Sequence, residues 1–245
     1  MKIIGITGHR GSGKTTIAYL LGNILESIKC GDTKDETMVL FENWYNTIKQ
    51  NNNAIYDCSL NHVYFDEFGE IPKSFVAQLL SIDMSLLDND VMKDNMYVNM
   101  SNFGLYKHEE SFNVITAEDV LNNTSKKWKV CYISLREFMK CLSIDIMQKF
   151  FGTDVWLKTR CMNDSKWQTT DISWKIFSDV KTQDEIKYLK DNNGIIITTS
   201  RLSKKKQQNG ISNINKIESD YSINIDNDNM FETLYNIATN IIVDK

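Results

Sequence analysis

Apolar residues along the chain follow two kinds of spacing. Short apolar runs stand at 3–7, 38–41, 130–133, 174–177 and 195–199, each of strand length. At about 14–28, 74–87, 135–150, 182–192 and 230–241 apolar residues return every three or four positions, which draws one stripe along a helix. Within 135–150, Phe138, Leu142, Asp145 and Lys149 mark opposing faces. Strands apolar on both sides, alternating with amphipathic helices, predict an α/β fold with a parallel sheet flanked by helices. No long-period repeat and no Pro- or Ser-rich linker divides the pattern, so one domain over 1–245 is expected. The stretch from about 50 to 130 is poorly patterned and Asn-rich, and reads as an insertion on the substrate side.

Composition narrows the class. With 245 residues and 42% apolar content the chain can bury a sizeable core, which excludes a disordered tail or a collagen-like fibre. A net charge of −4 argues against coating nucleic acid by charge, so direct nucleic-acid binding is not expected. No apolar run approaches the roughly 20 residues that span a bilayer, and the opening MKIIGIT reads as a strand without a signal-peptide cleavage site. A soluble, cytoplasmic protein with no membrane partner is the expectation. Cys30, Cys58, Cys131, Cys141 and Cys161 form no CxxC or Cys/His ligand pair, so neither structural zinc nor a disulfide framework is expected. Similarly, His9, His62 and His108 show no triad or metal spacing, and Asp83, Asp88, Asp90 and Asp94 read as a solvated charge pattern. The chain has 24 Lys against 4 Arg, and 25 Asn against a single proline, Pro72. That bias fits an AT-rich genome and makes Arg10, Arg136, Arg160 and Arg201 more informative than any lysine run.

The strongest motif is Gly8-His9-Arg10-Gly11-Ser12-Gly13-Lys14-Thr15, which satisfies GxxxxGK[ST] between a strand and a helix. Glycines permit the positive-φ turns that aim successive N–H groups at one anion, and the following helix adds its N-terminal partial charge. At average residue frequencies the bare pattern arises by chance in roughly one chain of this length in a hundred. Its placement after a strand and before a helix is what distinguishes it from an ordinary glycine turn. Lys14 is placed to bridge the β- and γ-phosphates of a nucleoside triphosphate, and Thr15 to hold Mg²⁺.

Two further constellations bear on the reaction. Val63-Tyr64-Phe65-Asp66-Glu67 is an apolar strand ending in two acids, as in an ATPase that polarises water. Asp66-Glu67-Phe68-Gly69 fits the DxxG of GTPases, and Asn215-Lys216-Ile217-Glu218 approaches their NKxD. The other constellation occupies the C-terminal half. Ser134-Leu135-Arg136-Glu137-Phe138-Met139-Lys140 resembles the [TS]-x-R-x-L-L-Q helix opening of the phage deoxynucleoside monophosphate kinases, and Asp154-Val155-Trp156 their D-x-W. Trp174 to Glu185 looks like that family's strand ending in D-x-R-x-x-x-E, with Asp179, Lys181 and Glu185 at the motif positions. Gly194 and the apolar strand ending in Arg201 are similar to its last strand, and Asp220 to Asp228 resembles its D-x-x-I-x-N-D-G turn. With the phosphate loop, the resemblance reaches both ends of the chain in the family's order.

The resemblance implies a P-loop nucleotide kinase with a helical acceptor-side insertion at about 50–130 and a mobile lid at about 202–213, containing Lys204, Lys205 and Lys206. It implies ATP and Mg²⁺ as cofactors, a deoxynucleoside monophosphate as acceptor, and a homodimer in a phage-infected host. Gly8, Arg10, Gly11, Ser12, Gly13, Lys14, Thr15, Thr16 and Arg201 would then bind ATP, with Thr15 and Asp179 on the metal. Lys14, Arg136 and Asp179 would serve catalysis, and Phe41, Trp44, Arg136 and Lys181 the acceptor. The guanidinium fork of Arg136 suits a monophosphate, which supports the same reading on physical grounds. Departures are Lys181 in an arginine position, a missing H-x-[ST]-E of which Glu218 is the remnant, and the absent proline and lysine after Phe41. An ATPase or GTPase built on Asp66 and Glu67, and a catalytically silent nucleotide-binding module, stay open as alternatives.

Overall fold

A computed structural model describes residues 1–50, 60–99, 105–108, 111–114, 132–164, 171–201 and 218–243; the lid expected at about 202–213 lies outside them. In chain order the elements are β1 (Lys2–Gly8), α1 (Lys14–Cys30), α2 (Lys34–Gln50), β2 (Val63–Asp66), α3 (Glu70–Leu80), a 3₁₀ turn (Met84–Leu87), α4 (Asp90–Asn95) and β3 (Tyr97–Asn99). They continue with β4 (Leu105–His108), β5 (Ser111–Val114), β6 (Tyr132–Ser134), and α5 (Leu135–Lys140), which runs through a π-helical stretch (Cys141–Gln148) into α6 (Lys149–Phe151). Last come α7 (Val155–Asp164), β7 (Trp174–Val180), α8 (Gln183–Asp191), β8 (Ile195–Ser200), β9 (Tyr221–Asn224) and α9 (Met230–Val243). The chain forms two compact units, one of Met1–Phe68 with Asp164–Lys245, the other of Gly69–Asn163.

The first unit is built on a five-stranded parallel sheet in the order β2-β7-β1-β8-β9. Strands β1 and β7 are buried almost along their length, β7 at every position, which fits the apolar runs at their cores, although β7 also buries Lys175, Ser178 and Asp179. Ile4, Ile6, Ile176 and Ile197 join Ile17, Leu20, Leu21 and Ile24 of α1 and Leu234 and Ile241 of α9 in the larger core. Strand and helix periods meet there: alternate strand residues face α1, while i, i+3, i+4 and i+7 residues of α1 face the sheet. The result is a fixed sheet whose strand ends carry the loops that matter for chemistry.

Several expectations change. The apolar run 38–41 is not a strand; it lies inside α2, where Thr37, Phe41 and Ile48 make the narrow buried stripe and Met38, Val39 and Leu40 face outward. Of the run 130–133, Tyr132 and Ile133 fall in β6, which pairs antiparallel with β3 in the second unit, Val98 opposite Ile133, and does not enter the parallel sheet; residues 130 and 131 lie outside the described residues. The helix expected over 74–87 breaks at Ser81, whose φ of 53° ends α3; Asp83 then accepts a hydrogen bond from Ser85 N and starts the 3₁₀ turn. At the sheet edges β2 and β9 complete the order.

The second unit has its own core of Val76, Leu87, Val98, Ile133, Leu135, Phe138 and Leu142. Ser134 caps α5 through a capping box with Glu137, which sets where that helix begins. No helix among the described residues is long and apolar enough to cross a membrane.

Candidate active site

β1 runs directly into the glycine turn, and α1 begins at its far side. Gly8, Gly11 and Gly13 have φ of 148°, 73° and 86°, which L side chains rarely adopt. At Gly8 a Cβ would lie 2.5 Å from Thr199 O, so the turn can form only with glycine there. The loop is latched to β8 by hydroxyls. Thr199 Oγ1 donates to Thr7 O at 3.2 Å, which leaves Ser12 Oγ to donate to Thr199 Oγ1 at 2.7 Å, both residues buried. Lys14 closes the loop by donating from Nζ to Gly8 O at 2.9 Å and His9 O at 3.0 Å. Thr15 and Thr16 follow in the first turn of α1, half-buried, while Arg10 is exposed on the loop.

Asp179 stands near the end of β7, the strand beside β1. Its Oδ1 accepts from Phe68 N at 2.7 Å, and its Oδ2 lies 3.4 Å from Lys181 Nζ. Burial first, and then the charge of Lys181, hold the Lys14 ammonium below the ordinary lysine value, with Asp179 acting in the opposite sense. Lys14, Lys181 and Asp179 therefore form one electrostatic group at the loop. The motif spacing from Asp179 to Glu185 has a local cause: Glu185 accepts from Lys181 N at 2.6 Å and Thr182 N at 2.8 Å, in a capping box that starts α8 directly behind Lys181. Burial raises the Glu185 carboxyl above its ordinary value, against those two amide donors.

Arg201 closes β8 and faces Asp226, with Nε 3.6 Å from Oδ1. The turn after β9 is built from asparagines: Asn224 Oδ1 accepts from Asp226 N, and Asn227 Oδ1 from Asn229 N. Its Ile225 lies against Gly13. The first unit thus brings Gly8, Ser12, Gly13, Lys14, Thr15, Asp179, Lys181 and Arg201 to the carboxyl ends of neighbouring strands. Glycines that leave room for an anion, two lysines, and oxygen donors on Thr15 and Asp179 fit a nucleotide phosphate chain with a hard divalent cation.

Other expected site residues are placed differently. Phe41 is a core side chain, stacked on Tyr45 at 6.0 Å and tilted against Phe231 at 5.3 Å, and Trp44 packs on the same core. A helix in place of the expected strand turns Phe41 toward Phe231 of α9. A cavity of about 480 Å³ between α2 and the turn 225–229 is lined by apolar Met38, Phe41 and Tyr45 together with Lys49 and the acids Glu42, Asp226, Asp228 and Glu232. Arg136 belongs to the second unit, where it bonds Asp94 and, at 2.9 Å, Asp90 Oδ1; these carboxylates raise its already high pKa further. Arg160 in the same unit is buried and donates to Glu70 Oε2 at 3.1 Å. Asp66 pairs with Lys175 at 2.9 Å on β2, a strand separated from β1 by β7. Glu26, Cys30 and His62 also cluster, but hydrogen bonds from Asn61 N and His62 N to Glu26, with His62 Nδ1 2.9 Å from it, account for that grouping as a clamp between α1 and β2. The sequence reading missed Thr199, Ile225 and Phe68. Only Thr199 left a signal, as a hydroxyl inside an apolar strand.

A glycine-rich phosphate loop between the middle strand and α1, with a carboxylate and a lysine at the end of the adjacent strand, defines a P-loop nucleotide-binding fold, which by itself serves kinases and nucleotide hydrolases alike. A family model of deoxynucleotide monophosphate kinases matches residues 2–237, and the chain belongs to that family. It is also 22% identical to a deoxynucleotide monophosphate kinase of Escherichia phage RB69, over 99% of this chain and the whole of the relative. The protein is a kinase.

Proposed function

We propose that this kinase moves the γ-phosphoryl group of Mg-ATP to the phosphate of a deoxynucleoside monophosphate. An acceptor phosphate oxygen forms the new bond to the γ-phosphorus as the bond to the β–γ bridging oxygen breaks, giving the deoxynucleoside diphosphate and ADP. The observation that carries this reading is the grouping of Lys14, Asp179 and Lys181 at the mouth of the glycine loop. Phosphoryl transfer needs positioning and charge stabilisation, with no covalent chemistry from the protein. Lys14 and the loop amides hold the donor phosphates, Lys181 adds a second cation beside them, and Arg201 lies toward the donor base. Thr15 and Asp179 would hold Mg²⁺, which supplies neutralisation of the phosphate charge. Arg136 holds the acceptor's phosphate. The family resemblance supports a homodimer acting in the cytoplasm of a phage-infected cell.

The ATPase alternative lacks comparable support. Asp66 is buried against Lys175 and stands on a strand that does not adjoin β1. The test is ADP release from Mg-ATP with and without each of dAMP, dGMP, dCMP, dTMP and dUMP. ADP formation that depends on one or a few monophosphates, with the matching diphosphate appearing, is expected. ADP and inorganic phosphate released regardless of acceptor would overturn the assignment.

A further inference from the structure

Asp66 stands out in the sequence as a candidate catalytic acid, yet its carboxylate is almost fully buried and turned to other work. Its Oδ2 meets Lys175 Nζ at 2.9 Å, and its Oδ1 accepts from Glu67 N at 2.7 Å. The next amide along the chain, Phe68 N, is the one that donates to Asp179 Oδ1. Lys175 and Phe177 are alternate residues of β7 and share one face of the sheet, and between Phe177 and Val180 the pairing with β1 shifts register, at the residues that include Asp179. On that face the Phe68 ring lies parallel to Phe177 at 4.1 Å, Tyr188 meets both edge-on, and Lys175 Nζ sits 4.8 Å over Phe177. A buried ion pair is at best neutral for stability against apolar residues of the same size, so its main effect here is geometric.

The geometry points to Asp66 and Lys175 as positioning residues that fix the turn 66–68 and, through Phe68 N, orient the Asp179 carboxylate for the metal-nucleotide. The two oxygens of Asp66 are committed in different directions, one to β7 and one to its own turn. Without them the turn can rotate and Asp179 Oδ1 loses its amide donor. Glu67 is held as well, accepting from Ser178 Oγ at 3.3 Å, which leaves the turn anchored to β7 at successive residues.

This inference rests on the reading of Asp179 as a metal-side group, and the experiment separates the two. Asp66→Asn alone takes the paired charge from a buried lysine and can fail by unfolding, so the working variant is Asp66→Asn with Lys175→Met, which removes both charges at similar volume. Mn²⁺ binding to the complex with a non-hydrolysable ATP analogue, followed by electron paramagnetic resonance, is measured beside kcat and the affinity for metal-free ATP. The expected result is a folded protein with ordinary metal-free ATP affinity, Mn²⁺ affinity and kcat each lowered about tenfold, and no further loss when Asp179→Asn is added. Wild-type Mn²⁺ affinity in the paired variant, or losses that add to those of Asp179→Asn, overturn the positioning role alone. An Asp179→Asn protein with unchanged Mn²⁺ affinity and kcat overturns both readings together.

Discussion

Gly13 and Ile225 meet so closely that a methyl group on Gly13 would lie 2.2 Å from Ile225 Cδ1. The contact joins the last glycine of the phosphate loop to the turn after β9, nearly the whole chain away. Two constraints coincide at Gly13, the neighbour and a φ of 86° at the start of α1. The Ile225 side chain can shift, whereas the backbone angle cannot without re-aiming the loop amides. Gly13→Ala should therefore lose about 1–2 kcal/mol of stability and most ATP affinity. The paired variant with Ile225→Ala should recover neither in full. Recovery of both, by thermal melting and ATP titration, would show that contact rather than backbone sets the requirement.

The latch between Ser12 and Thr199 gives a second expectation. Thr199→Val keeps the shape of the strand but removes the acceptor for Ser12 Oγ and the donor to Thr7 O. A buried hydroxyl left without a partner costs about 1–3 kcal/mol, while removing both partners costs less than the sum of the parts. Thr199→Val should lower stability by that order and weaken ATP binding several-fold. Adding Ser12→Ala should cost little more stability, and strict additivity in denaturant unfolding would count against the latch.

Lys14 carries a pH signature whose sign follows from its lowered pKa. Between the lowered native value and 10.5 the unfolded chain binds more protons at this residue than the folded one, so stability gains from rising pH across that window. Other lysines titrate there too, which makes the difference from Lys14→Met the informative quantity. The variant should lose that upward contribution and show about 10²-fold or greater loss of kcat with the fold retained. Phosphates bound beside Lys14 reverse the shift, so ATP binding near the top of the window should take up a proton, measurable by calorimetry in buffers of different ionisation heat. A proton count unchanged by Lys14→Met would place the titration elsewhere.

What the sequence made legible followed the strength of local constraint. The glycine loop and the ends of β1, β7 and β8 could be read because central strands carry short apolar runs and a phosphate turn must carry glycine at fixed offsets. At 38–41 helix α2 imitates a strand because four consecutive apolar residues stand together, while the buried positions Thr37, Phe41 and Ile48 form a stripe too thin to stand out. Edge strand β9 has a polar half-buried sequence, Tyr-Ser-Ile-Asn, and its identity comes from pairing with β8. In the site, Lys14 and Asp179 were visible as motif members. Phe68 and Ile225 were not, since one acts through its backbone amide and the other through an ordinary apolar contact.

Arg136 supplies the remaining expectation. Its guanidinium is held in a fork by Asp90 and Asp94, with Nη2 2.9 Å from Asp90 Oδ1 and 3.2 Å from Asp94 Oδ2. These carboxylates occupy the same planar donor edge that a phosphate would use. If Arg136 serves the acceptor, the two acids compete with the substrate, and exposed pairs of this kind are weak enough to be displaced. Asp90→Asn with Asp94→Asn should then lower the acceptor KM about two- to fivefold without changing the KM for ATP, since the competing interaction is worth under about 1 kcal/mol. Arg136→Ala should raise the acceptor KM and lower kcat, again with ATP spared. A rise in acceptor KM from the aspartate changes, as large as that from Arg136→Ala, would instead mean that the acids hold the arginine in its working pose. Unchanged acceptor kinetics in all three proteins would remove Arg136 from the acceptor site and leave its pairing as a staple between α4 and α5.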